Sequence, residues 1–457
     1  MQDSNSFIIG IFYALVLFGL VIVALSIPLR YWFSGIAMFA IPQVYIFQIA
    51  GVYPSLSLVA SLGAVYSFKY FFRFTKIKWF QAFIAVWFLQ ALSLIWSPSP
   101  ALGFRHLIYL LPFAIAAFVG FSCARLDVAS ARKFLFFALW LSIAEAILVV
   151  IFRVVPSIEL AFLLSPFAGI ATSPNVMAAL FYDAANNVFD SGKAGGLFVN
   201  ANAASAILGF CSVLAWELSA NAGMRSLRFV AVFNWIAIFF TGSKAGMMIA
   251  IVLPSIFLAL ETLRHHRINK RVMVVLVMIS AGVITFISEI IDFFVTNDFL
   301  SNTSSTLDVR GIIWSFAGRE LLDSPLLGLG FGGWEQKFPP FAQQQAINSN
   351  YPPHNAFLIT WSQSGLFAML CLLAFVVLFL HWTYRASRHP DPQIKSLASG
   401  LFLGALWFWL QAQGENFGIL GEPHFTSLLG LFAGVLLAQL KVFADCEARG
   451  NQLWKIP

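Results

Sequence analysis

His354, Arg310, Lys244 and Arg105 stand out by chemical type in an otherwise apolar chain. His354 closes the polar run "SNYPPH" directly before an apolar helix pattern that begins at Asn355. With a reference pKa near 6.5, an imidazole there accepts a proton from a hydroxyl at neutral pH. A polar residue at a helix start also caps the first turn, and the sequence alone leaves both roles open. Glu320, Glu335 and Glu415 are rival bases.

The cations follow the same logic. Lys244 in "FFTGSKAGMMIA", Arg105 beside His106 in "GFRHLIYLL", and Arg310 and Arg319 in "VRGIIWSFAGREL" are suited to phosphate oxygens. Their alternative role is to extend to lipid headgroups. Arg310 and Arg319 are nine positions apart, about 900° around a helix, so they point to opposite faces and Arg310 is preferred. Asn200 and Asn202 in "GGLFVNANAASAILGF" can hydrogen-bond a sugar, a diphosphate or a neighbouring helix. Asn355 stands between cap and ligand. The turn "QAQGENFGILGEPHF" collects Gln411, Gln413, Glu415, Glu422 and His424 as a polar wall or a solvated loop.

The elements that position these residues must be membrane helices. The 457 residues are 60% hydrophobic and 10% charged, and apolar runs long enough to cross a hydrocarbon core of roughly 30 Å recur along the chain. Helices satisfy their backbone polar groups internally, so the expected fold is all-α, a polytopic bundle forming one membrane domain over residues 1–457. Candidate spans are 7–27, 32–50, 54–68, 79–96, 102–122, 133–152, 196–216, 226–240, 244–263, 272–291, 355–381, 396–413 and 425–443. The first is read as a retained span, and one of the first three need not cross fully. About twelve crossings are expected.

The basic segments "KYFFRFTKIK", "ARLDVASARK", "MRSLR", "RHHRINKR" and "TYRASRHP" fall in alternate connections and are assigned to the cytoplasmic side. The net charge of +7 therefore reads as topology, with no nucleic-acid partner. Four scattered cysteines predict neither a disulfide nor a metal site. The long connections 153–195 and 292–354 then lie outside. In the larger, "TLDVRGIIWSFAGRELLDSP" predicts an amphipathic surface helix with Thr306 and Asp308 as cap candidates. The following "LLGLGFGGW" predicts tight turns.

There is no Walker-type loop, no D-x-D pair and no H-x-x-H or C-x-x-C arrangement, so no metal and no cofactor are expected. Chemistry on the outer face then needs a substrate that arrives activated, and a lipid-linked diphosphate meets that need.

Four segments in order, "GLFVNANAASA", "TGSKAGMMIA", "VRGIIWSFAGRELLDSPLLGLGFGGW" and "PPHNAFLITWSQSGLFAML", resemble the O-antigen ligase and polymerase superfamily of bacterial membrane glycosyltransferases over roughly residues 75–440. The resemblance implies a GT-C-like fold and metal-independent, inverting transfer of a glycan from undecaprenyl diphosphate at the periplasmic face of the inner membrane. For the ligase branch it implies lipid A-core as acceptor. It also implies that His354 is the acceptor-activating base, that Arg310 is the loop arginine and that Lys244 replaces a more usual arginine. Lysine keeps the charge but loses the bidentate fork. Asn200-Ala201-Asn202 stands where many relatives have N-P-N. The ligase and polymerase branches share these motifs. A lipid-glycan transporter is the alternative from another class, and it predicts ionisable residues at the bilayer midplane.

Overall fold

The computed structural model describes residues 26–45, 55–60, 74–172, 192–221, 224–265, 298–415 and 423–453, with single positions between; for 257–265, 298–307, 423–424 and 444–453 only the backbone is described. Helices in chain order are α1 (Leu29–Phe39), α2 (Leu56–Ala60), α3 (Lys78–Ser93), α4 (Pro100–Ile108), α5 (Leu111–Leu126), α6 (Val128–Val154), α7 (Pro156–Leu163) and α8 (Pro166–Thr172). There follow α9 (Ala201–Leu218), α10 (Leu227–Phe240), α11 (Lys244–His265), α12 (Asp298–Asp323), α13 (Trp334–Gln344), α14 (Ala356–Ala386), α15 (Pro392–Gln411) and α16 (Pro423–Leu453). Among the described residues there is no strand, only an isolated bridge between Tyr45 and Ser55. The chain is an all-α multi-pass membrane protein.

Among the described residues, six stretches are long and apolar enough to span: Lys78–Trp96, Pro100–Leu126, Val128–Val154, Ala201–Leu218, Ala356–Ala386 and Phe425–Phe443. The spans expected at 7–27 and 272–291 lie almost wholly outside the described residues. The expectation of a continuous span over 32–50 is corrected. The helix there ends at Phe39 after 11 residues, roughly 16 Å, about half a hydrocarbon core. The chain turns at Pro42-Gln43, and the buried Gln43 amide bonds the Ala40 carbonyl and accepts from Ser57. In 54–68 the described helix is five residues long.

Small residues let the central helices approach closely. A Cβ on Gly430 or Gly434 of α16 would collide with the carbonyls of Phe113 or Ala117 on α5, the backbone-to-backbone packing on which membrane helices rely. Beside this seam Trp79, Phe83, Phe113, Phe375 and Phe379 form a buried aromatic cluster joining α3, α5 and α14.

The surface helix differs from expectation in its start. α12 begins at Asp298 and runs through Thr306 and Asp308, because local cap signals are weak priors against continued helix. Of the apolar face that the spacing predicts, Ile312, Ile313, Phe316, Ala317 and Leu321, the structure buries Ile313, Phe316 and Ala317 against Trp334, Phe338 and Ala342 of α13 and leaves Ile312 and Leu321 half-buried. α13 itself was hidden in the sequence by Pro339-Pro340. The stack of Trp334 on Phe338, with Phe316 edge-on to both, holds that helix despite the two missing donors.

The glycine run between α12 and α13 inserts into a break in α14. Gly365 has φ 82 and ψ 175, a conformation that excludes other residues. Leu329 N donates to the Ser362 carbonyl (2.8 Å) and Leu366 N to the Pro325 carbonyl (3.1 Å). The backbone groups that the break would orphan are thereby satisfied inside protein. The segment 356–364, which follows His354, is thus fixed to the loop that follows Arg310.

Basic connections meet at one end of the bundle, where Arg132, Asn221, Met224 and Gln393 line one pocket with Gln439. Helices α9 and α15 run from that end to the other, carrying Asn202 and Gln411 there.

Candidate active site

The opposite end is assembled by backbone and side-chain hydrogen bonds around His354. Trp314, one turn beyond Arg310 on α12, donates its indole N–H to the Pro353 carbonyl (2.8 Å). Trp334 donates to the Tyr351 carbonyl (3.0 Å). Asn355 caps α14: its Oδ1 accepts from Phe357 N and Leu358 N, both at 3.0 Å, and its Nδ2 donates to Gln413. Ala356 N donates to the Ala412 carbonyl (3.1 Å). The cap is therefore Asn355, and its amide is engaged on both sides.

His354 is left with a different role. It stands at φ 48, a left-handed conformation uncommon for a non-glycine residue. Its ring faces Tyr351 with centroids 5.9 Å apart. Nδ1 is buried and has no hydrogen-bond partner among the described residues. Burial, then the charge of Arg310, pushes the imidazole down to about 4, so at neutral pH it is uncharged and can accept a proton.

Arg310 pairs with Glu415 across the turn after α15, Nη2 to Oε1 at 3.3 Å. Glu415 is nearly buried, 7% exposed. Burial pushes its carboxyl up to about 7 against the opposing pull of Arg310, a hydrogen bond from Asn202 and the charge of Lys193. Gln411 completes the link by donating to the Asn202 carbonyl (2.9 Å) and Ser205 Oγ (2.6 Å).

Lys193 and Lys244 arrive on neighbouring segments. Ala194 N donates to the Thr241 carbonyl (3.1 Å), and Ser243 Oγ accepts from Gly246 N (3.2 Å) at the start of α11, directly before Lys244. A Cβ on Gly246 would press on Ser205, so the start of α11 lies against α9 near Asn202. Asn200 caps α9, accepting from Asn202 N (2.8 Å) and Ala203 N (3.3 Å).

Two predicted residues lie elsewhere. Arg319 stacks its guanidinium over Phe341, 4.5 Å from the ring centroid, on the face of α12 away from Arg310. Arg105 is exposed on α4, whose neighbouring His106 faces Glu335 at 3.6 Å. The structure brings together Arg310, His354, Asn355, Glu415, Asn202 and Lys193, with Lys244 on the adjoining helix start. Sequence reasoning passed over Lys193, although "SGKAGG" sets a cation in a small-residue loop just before the Asn200 cap. Among the described residues no group of three His, Cys, Asp or Glu side chains is arranged to hold a metal.

A neutral base beside a guanidinium, at the end of a helical bundle, suits transfer from an anionic leaving group to a hydroxyl. Residues 229–373 match the O-antigen ligase family, Wzy_C. Over that segment, less than a third of its length, the chain is similar to the O-antigen ligase/polymerase superfamily. The match takes in Lys244, Arg310, Arg319, His354 and Asn355, and it stops short of Lys193 on one side and Glu415 on the other. No curated protein matches the chain. That likeness supports a membrane glycosyltransferase of O-antigen ligase/polymerase type, a class whose substrates are in general a lipid-linked glycan and a lipid acceptor.

Proposed function

We propose that the protein is an O-antigen ligase, transferring glycan from undecaprenyl diphosphate to a sugar hydroxyl of lipid A-core at the periplasmic face of the inner membrane. The observation that carries this reading is the unpartnered, buried Nδ1 of His354 within the electrostatic reach of Arg310.

The acceptor hydroxyl gives its proton to His354 Nδ1 as its oxygen bonds the anomeric carbon. The bond from that carbon to the diphosphate oxygen breaks, with inversion, and lipid diphosphate leaves. Arg310, Lys193 and Lys244 receive the charge that develops on the leaving group. Arg310 also couples the two halves of the reaction. Its charge, after burial, depresses the imidazole, and a bound diphosphate would offset that charge and raise the basicity of His354. The base strengthens when donor is bound.

The test uses purified protein, lipid-linked donor and lipid A-core. His354→Ala is expected to lose at least about 100-fold in transfer rate, the usual worth of a general base, while still binding donor. Near-normal transfer by that variant would overturn the base assignment. EDTA is expected to leave the rate unchanged; loss restored by a divalent ion would overturn metal-independent transfer. In a deletion strain, long glycan should be absent from lipid A-core and accumulate on undecaprenyl diphosphate. Accumulation of single unpolymerised repeats would indicate a polymerase instead.

A further inference from the structure

Two glutamates outside the site just described grip the loop that brings Lys193 to it. Glu145 stands on the spanning helix α6, 0% exposed. Its Oε2 accepts from Leu197 N at 3.0 Å, and its Oε1 has no partner among the described residues. Glu159, on the short helix α7 and 5% exposed, accepts from the Gly195 backbone N–H. A Cβ on Gly196, at φ 55, would collide with the Glu145 carboxylate, so loop and side chain are fitted to each other. With Thr241 holding Ala194, the loop is fastened at three successive places between Lys193 and the Asn200 cap.

A carboxyl in a membrane span costs free energy that a core packed with leucine would avoid. Glu145 recovers only one hydrogen bond to a backbone group. Its position against a loop that ends at the site is the return on that cost.

We propose that Glu145 and Glu159 are positioning residues of the donor site, fixing the 193–200 loop so that Lys193 faces the lipid diphosphate beside Glu415. The proposal rests on the glycosyl-transfer reading above. Neither glutamate touches substrate; each acts through the loop it holds.

The experiment uses the full chain in nanodiscs, with two readouts. The first is amide hydrogen exchange, which needs no ligand. Glu145→Leu should speed exchange across 193–200 without changing α14 or α16, and Glu145→Gln, which keeps an acceptor oxygen for Leu197 N, should restore protection. The second is affinity for undecaprenyl diphosphate. Lys193→Met and Glu145→Leu should each weaken it about tenfold, and the double variant should be no weaker than Lys193→Met alone, since residues acting through one contact are non-additive. Glu159→Ala, on a short helix outside the spans, repeats both measurements should Glu145→Leu fail to fold. Unchanged exchange over 193–200, or losses that multiply in the double variant, would overturn the proposal. Equal affinity of the wild type for undecaprenol and undecaprenyl diphosphate would instead overturn the glycosyl-transfer reading, and the exchange data would still decide the role of the glutamates.

Discussion

Asp127 and Glu415 are carboxyls at opposite ends of one helical bundle, and their surroundings drive them in opposite directions. Asp127, fully exposed where α6 begins, is held below the usual carboxylate range by a hydrogen bond from the Ser130 side chain and then by backbone N–H groups of Ser130 and Ala129. Glu415 has an arginine at 3.3 Å and is nonetheless pushed up to about 7 by burial. A nearby cation does not ensure an ionised carboxylate; desolvation decides when it is the larger effect. The basic end is built for hydration and topology, whereas the His354 end withholds water from groups that would titrate in it.

The largest expected effect that separates the two ends is on transfer. Arg310→Ala should lower the transfer rate on the order of 100-fold, as removal of a positioned charge-stabilising donor does. Arg228→Gln at the basic end should change it less than about twofold. Comparable losses, measured with purified donor and acceptor, would erase the distinction.

Next in size is Lys244. Lys244→Arg should keep activity and Lys244→Glu should lower it by about tenfold or more, because the reversed charge repels diphosphate. Equal activity would return Lys244 to a topological role.

Glu415 supplies a sharper, pH-dependent test. Its carboxyl binds a proton below about 7, which releases Arg310, so donor affinity should rise as pH falls through about 7. Glu415→Gln should bind donor with little dependence on pH in that range. Folding stability gives the complementary sign. The folded-state value of Glu415 is raised from 4.5 to about 7, so its contribution to stability is fully present below 4.5 and is lost as pH rises toward 7. The value for His354 is depressed from 6.5 to about 4, so its contribution is present above 6.5 and lost as pH falls toward 4. The two slopes oppose each other between about 4.5 and 6.5. Thermal unfolding of Glu415→Gln should therefore worsen with acid across that window more steeply than the wild type.

The smallest effect belongs to Asp127. Asp127→Ala should lower the unfolding temperature slightly through the lost cap of α6, with transfer unaffected.

The all-α class was legible from long apolar runs, and the apolar face of α12 from the spacing of Ile313, Phe316 and Ala317. The glycine turns were legible too, since Gly328, Gly330 and Gly332 all adopt positive φ. Other features depend on contacts distant in sequence. Glu415 had been one of several candidate bases, and only the approach of α12 to the turn after α15 pairs it with Arg310. Trp314 bonding Pro353, 39 positions away, has no local signature. Glu145 was readable as an ionisable residue inside an apolar span, "LSIAEAILVV", a pattern that points to function by default. Its partner, the Leu197 amide, could not be read from that pattern.

The break at Gly365 bears on how the enzyme meets bilayers of different thickness. A long span adjusts to its membrane by tilting, and a continuous helix would carry that tilt straight to His354. Here the helix is broken at Gly365, and 356–364 is bonded to the 325–329 loop and the 412–413 turn. The placement of His354 beside Arg310 therefore rests on these loop and turn bonds more than on the tilt of the long helix below.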